Sequence, residues 1–144
     1  MYTRILVPTD GSDITAKAVA AAVNLAKLCG ASIVTLCVKE PFPYSAISEM
    51  QPVPPQEFYD VQERIAAGRV KAVLDAAAAA GVACDGITVE ALHPWEAILE
   101  TAKQHRCNLV VMASHGRRGI AALLIGSETS RVLTHSPLPV LVIK

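Results

Sequence analysis

Four short runs in this chain are apolar almost without interruption: Arg4-Ile5-Leu6-Val7, Ser32 to Val38, Leu109 to Ala113 and Val140 to Ile143. A strand with one wet face alternates polar and apolar residues, whereas a continuous β-branched run needs cover on both faces. Helices on either side of a parallel sheet supply that cover. The intervening segments fit the requirement. From Asp13 to about Cys29 the residues Ile14, Ala18, Ala21, Ala22, Leu25 and Leu28 recur at helical spacing, and Gly30 is placed to end the helix. A second helix is expected from Glu57 to about Ala80, closed by Gly81, with Val61, Ile65, Val70, Val73 and Leu74 as its apolar positions. A third runs from Pro94 to about His105, and a fourth starts at Ser127. A further strand is expected near Ile87 to Ala91, at the sheet edge. This alternation reads as one α/β domain over residues 1–144, doubly wound around five parallel strands. In such sheets ligands bind beyond the C-terminal strand ends. Three segments leave the centre there: Pro8 to Ser12, Val38 to Glu40, and Ala113 onward.

Thirteen basic and thirteen acidic side chains cancel. That balance lacks the electrostatic signature of a nucleic-acid binder or a membrane-surface protein. Hydrophobic residues make up 52% of the chain, yet no run approaches the roughly 20 residues that span a bilayer. The N-terminus starts directly in a strand pattern without signal-peptide features, which points to the cytoplasm. Cys29, Cys37, Cys84 and Cys107 are scattered and have no zinc-like spacing, so reduced, packed thiols are expected. Prolines 41, 43, 52, 54 and 55 mark an irregular loop between Lys39 and about Gln56.

The most informative stretch is Ala113-Ser114-His115-Gly116-Arg117-Arg118-Gly119, which continues through Ile120 to Ile125 and reaches Gly126-Ser127-Glu128-Thr129 at a helix start. Glycines let main-chain N–H groups approach an anion, and a helix N-terminus adds unpaired N–H groups and a favourable dipole. The pair of turns suits a polyphosphate. Two roles are open to Ser127: a helix N-cap, or a hydroxyl turned to a phosphate. Asp10 likewise has two, accepting from ribose hydroxyls or closing an Asx-turn while Ser12 or Asp13 caps the first helix. Arg117 and Arg118 either neutralise phosphate or stay solvated, and His115 is placed to donate to a phosphate. Trp95 reads as a packing residue. There is no G-x-x-x-x-G-K-[ST], no G-x-G-x-x-G after the first strand, and no Ser/His/Asp spacing that marks a nucleophile.

Ile5-Leu-Val-Pro-Thr-Asp-Gly-Ser12, S-H-G-x9-G-S from Ser114 to Ser127, and Pro137-Leu-Pro-Val-Leu-Val-Ile143 together resemble the universal stress protein family. The resemblance spans the chain and implies an adenine-nucleotide alpha-hydrolase-like sheet of strand order 3-2-1-4-5. It implies a stress-response module that binds ATP, with or without Mg²⁺ or Mn²⁺, and hydrolyses it slowly if at all. Asp10 then meets the ribose, and Pro8, Thr9 and Val38 lie near the adenine. Gly116, Gly126, Ser127, Glu128 and Thr129 line the phosphates, with Met112, Ala113, His115 and Arg117 completing the site. The family's ATP loop, G-x2-G-x9-G-[ST], falls on Ala113, Gly116, Gly126 and Ser127, so its first glycine is replaced. That replacement is costly only if position 113 needs a positive φ. The resemblance also implies a homodimer through Val140 to Ile143, an apolar edge strand guarded only by Lys144. The alternatives are an interaction dimer that binds no nucleotide, and a slow ATPase using Asp10 and a divalent metal.

Overall fold

A computed structural model of the chain describes residues 1–43, 55–117 and 125–144. Five strands, β1 (Arg4–Pro8), β2 (Ser32–Lys39), β3 (Cys84–Glu90), β4 (Leu109–Ala113) and β5 (Val140–Ile143), form one sheet in the order β3-β2-β1-β4-β5. Every pairing is parallel. The helices are α1 (Asp13–Cys29), α2 (Gln56–Ala79), α3 (Pro94–Gln104) and α4 (Ser127–His135). The expected fold class and strand order are both found.

The sheet is covered on both sides, which explains the uninterrupted apolar runs. Ile5, Val7, Ile33, Leu109 and Val111 pack with Val19, Ala22, Ala26, Val73 and Ala77 of α1 and α2. Leu6, Val34, Leu36, Val110 and Met112 pack with Ile98, Ala102 and Val132 of α3 and α4. Alternation along each strand sends successive side chains to opposite layers.

The buried stripe of α1 agrees with the expected one at Ala18 and Ala22, with Leu25 packed against the core, and otherwise differs. Thr15, Ala18, Val19, Ala22, Val23 and Ala26 face the sheet, while Leu28 is 86% exposed. The helix is rich in alanine around its whole circumference, so apolar spacing could not pick the whole face. Small residues let α1 lie close to the sheet, and Leu28 falls outside that stripe. On α2, Val70 and Val73 are buried as expected, but Val61 and Ile65 are exposed near its N-terminal half. β3 starts earlier than expected, at Cys84 rather than near Ile87, because it pairs with β2 from Ile33↔Cys84 to Lys39↔Glu90. Asp85 and Gly86 hide that start from a hydrophobic reading, as polar or small residues are tolerated on an edge strand. Edge position is as expected.

All four cysteines are free thiols. Cys37 and Cys107 are buried, while Cys29 and Cys84 are half-buried. Burial pushes the Cys37 and Cys107 thiols above their ordinary range, and raises Cys84 to about 11, with Asp85 adding to the effect. Most of the proline-rich loop, residues 44–54, lies outside the described residues. Among the described residues no helix is long and apolar enough to cross a membrane.

Candidate functional site

The strand order reverses at β1, with β2 and β3 on one side and β4 and β5 on the other, so the loops leaving the adjacent strands β1 and β4 come together at one end of the sheet. β1 ends at Pro8, and the next residue is held in place when the Thr9 N–H donates to the Leu36 carbonyl at 2.8 Å. Asp10 then turns the chain. Its Oδ1 accepts from the Ser12 N–H at 2.9 Å and from the Thr15 hydroxyl at 2.7 Å. The first of these is the Asx-turn open to it from sequence. Ser12 caps α1, its Oγ accepting from the Thr15 N–H at 3.3 Å.

The other carboxylate oxygen of Asp10, Oδ2, accepts from the main-chain N–H of Arg117, and the Arg117 Nε donates to the Asp10 carbonyl at 3.3 Å. The two loops are therefore joined directly. A Cβ at Gly116 would lie 2.5 Å from Asp10 Oδ2, so only glycine fits between the carboxylate and the turn. Burial pushes the Asp10 carboxyl upward. Hydrogen bonds from the Ser12 and Thr15 side chains and from the Ser12 and Arg117 N–H groups outweigh it and hold the group below its ordinary value.

On the β4 side, the Ser114 N–H extends the sheet by donating to the Ile143 carbonyl at 2.8 Å. The chain returns at Gly126, whose N–H donates to the Ser114 carbonyl at 2.6 Å. A Cβ on Gly126 would sit 3.2 Å from the His115 Cα, so the missing side chain permits this close approach. Thr129 is buried, with its hydroxyl donating to the Ala113 carbonyl at 2.8 Å. Ser114 Oγ and His115 Nδ1 lie 3.2 Å apart.

The helix after the loop begins one residue away from the cap position considered above. Gly126 is the N-cap, in extended conformation at φ −70° and ψ 161°, and Ser127 is the first helical residue. No side chain caps α4, so the exposed Ser127 hydroxyl is not occupied as a cap. Glu128 points elsewhere. Its Oε2 accepts from the Trp95 N–H at 2.9 Å, so the carboxylate serves the N-terminus of α3. Trp95 packs in the layer below and stacks on His135 with ring centroids 4.4 Å apart.

Ala113 is the last residue of β4, paired with Ile143. Among the described residues Arg106 is the one non-glycine with positive φ, so position 113 keeps ordinary strand geometry. The condition under which losing a glycine there costs most is not met. Met112 and the half-buried Val38 belong to the α3 and α4 layer, while Pro8 ends β1 and Thr9 and Asp10 follow it in the loop that leads to α1. Arg118 and Gly119 lie outside the described residues. Sequence reading missed Thr15, whose hydroxyl holds Asp10, and Lys17 and Lys144, which come near the Gly116 turn only through the fold.

A resident divalent metal does not fit these residues. Among the described residues no cluster of three or more His, Cys, Asp or Glu side chains suited to a metal occurs, so they offer no protein cage for a divalent ion. Any metal arriving with a nucleotide would rely on phosphate and water oxygens.

A family model, described as the universal stress protein family, matches residues 1–144. Universal stress protein YxiE of Bacillus subtilis is 31% identical over 149 residues, covering all of both chains. The structure of universal stress protein UspA from Lactobacillus plantarum superposes with a TM-score of 0.85 at 27% identity, covering 99% of this chain and 98% of that one. A crystal structure of a universal stress protein in complex with cAMP superposes with a TM-score of 0.72 at 28% identity, covering 99% of this chain and 97% of that one. Matching along its whole length in sequence and in fold, the chain belongs to the universal stress protein family.

Proposed function

We propose that this protein is a cytoplasmic stress-response module that binds an adenine nucleotide, ATP foremost, between the β1 and β4 loops. The observation that carries the reading is the junction of Asp10 with the glycine turn at 116, facing the return of the chain at Gly126. On this reading the Asp10 carboxylate would meet a ribose, and the uncapped N-terminus of α4 would offer its main-chain N–H groups to phosphates. The cAMP complex of a relative of matching length supports an adenine ligand. Pro8, Thr9 and Val38 would border the base, Asp10 the ribose, and Gly116, Gly126, Ser127 and the main chain of Glu128 and Thr129 the phosphates. Met112 and Ala113 form the floor, with His115 and Arg117 at the rim.

Binding is the function, and hydrolysis is at most slow. An enzyme of ordinary turnover needs a poised base or nucleophile. The nearest pair, Ser114 and His115, has its hydroxyl at a residue only 2% exposed, and Asp10 is occupied in holding the loops. Mg²⁺ or Mn²⁺ would enter with the nucleotide.

The working form is a homodimer through β5. That strand lies at the sheet edge, and Leu141 on it is 42% exposed, with Leu133 of α4 similarly open. An apolar edge of this kind is suited to pairing with its twofold mate. Calorimetric titration with ATP, ADP, AMP, cAMP and GTP tests the nucleotide reading. Saturable binding of adenine nucleotides with GTP markedly weaker is expected; equal affinity for GTP, or no binding, refutes it.

A further inference from the structure

A cleft of about 390 Å³ runs along α3, between that helix, the end of α4 and the turn into β5. Trp95, Leu99, Ala102, Cys107, Pro137 and Leu138 give it apolar walls. Four charged side chains also border it and cancel, Glu96 and Glu100 against Lys103 and Arg106. That set favours neither sign of ligand charge. One polar group in the wall is unmet. The indole Nε1 of Trp95 is buried and has no hydrogen-bond partner among the described residues. The main-chain N–H of the same residue is taken up by Glu128. The other buried side-chain atom in this condition, Arg4 Nε, belongs to a guanidinium already paired with Asp85. A buried donor without an acceptor destabilises the fold around it. The ring is held by packing instead, stacked on His135, whose own Nδ1 lies 2.9 Å from the Arg131 carbonyl.

We infer that this cleft is a binding site for a small uncharged molecule with an apolar body and one carbonyl acceptor, of the ketone, ester or lactone class. Its volume lies within the roughly 300–1,000 Å³ of small-molecule sites and is too small for a folded partner. The apolar walls supply affinity through area removed from water. The indole N–H supplies polar recognition, because a ligand carbonyl gives it the acceptor that the protein withholds. The N–H is covered from solvent, so the ring turns slightly to meet an entering acceptor, and no hydrogen bond of the indole opposes that turn. None of the cleft residues is among those assigned to the nucleotide, so the site stands apart from that reading.

The probes are 1-indanone and indane, the same rings without the oxygen, titrated into nitrogen-15-labelled protein. Trp95 is the only tryptophan, so a single indole N–H resonance reports the contact. With 1-indanone that resonance is expected to move downfield and saturate as the hydrogen bond forms, while indane binds at least fivefold more weakly and moves it little. Trp95→Phe keeps an aromatic ring beside His135 and removes the N–H, and by calorimetry 1-indanone should lose its advantage over indane there. Leu99→Gln, at a half-buried wall position, keeps the resonance and should weaken both probes. Equal binding of the two probes to native protein, an indole resonance that 1-indanone does not move, an advantage that survives Trp95→Phe, or unchanged binding to Leu99→Gln overturns the inference. So does a resonance that shifts with protein concentration alone, which would assign the cleft to a second copy of the chain.

Discussion

The Arg117 N–H donates to the Asp10 carboxylate across 107 residues of sequence, joining the loops that leave the adjacent strands β1 and β4. This bond uses the main chain of Arg117, so residue 117 contributes through its position in the turn even where its guanidinium is exposed. Replacing Asp10 by Asn turns one of the two acceptor oxygens into a donor. Either the bond to Arg117 or those to Ser12 and Thr15 then fail. A loss of about 1–3 kcal/mol is expected, measured by urea unfolding at pH 7.

The pH dependence follows from the same carboxyl group. Its folded value lies below the ordinary one, so the unfolded chain binds the proton more readily. The stabilisation is complete above the unfolded value of about 3.9 and is lost as pH falls through the folded value. The stability gap between native protein and Asp10→Asn should therefore narrow below about pH 4. A gap that stays constant from pH 7 to pH 3 would contradict this account of Asp10.

Glu128 joins α4 to the start of α3 through the Trp95 N–H. Glu128→Ala removes the acceptor at that helix N-terminus and should cost about 1 kcal/mol. Because Trp95 is the only tryptophan, its emission should shift in the variant. An unchanged spectrum together with unchanged stability would show that the bond contributes nothing in solution.

Gly68 offers a contrast with Gly116. It lies within α2, where an added Cβ meets nothing within 4 Å. Gly68→Ala is expected to stabilise the protein by about 0.5–1 kcal/mol, seen as a higher thermal midpoint. A lower midpoint would mean that α2 needs the flexibility of this glycine.

Dimerisation through β5 predicts that Leu141→Lys, at an exposed edge position, yields monomers on sizing with light scattering while circular dichroism stays native. A dimer that persists in the variant would place the interface elsewhere.

Much of this architecture is legible in the sequence because two-sided burial leaves continuous apolar strands, and helix ends carry local signals such as Ser12 and Gly30. The facing stripe of α1 was only partly legible, since alanines surround the helix and only packing selects among them. In the site, Asp10 and the glycines at 116 and 126 are marked by their own chemistry. The direction of Glu128 toward Trp95, the hydroxyl of Thr15 on Asp10, and the meeting of Lys17 with Lys144 are set by the fold. No local pattern carries them. Ala113 shows the converse: the loop pattern marks it as a departure, and its strand geometry removes the backbone objection.

The central claim concerns a nucleotide held at the junction of Asp10 with the Gly116 turn. Calorimetric titration of ATP into native protein, Gly116→Val and Ala113→Gly tests it most directly. The account predicts saturable binding to the native chain, a loss of at least tenfold in Gly116→Val, and a change of less than about threefold, or roughly 0.6 kcal/mol, in Ala113→Gly. Native protein that binds no ATP, or binding that survives Gly116→Val unchanged, would contradict it.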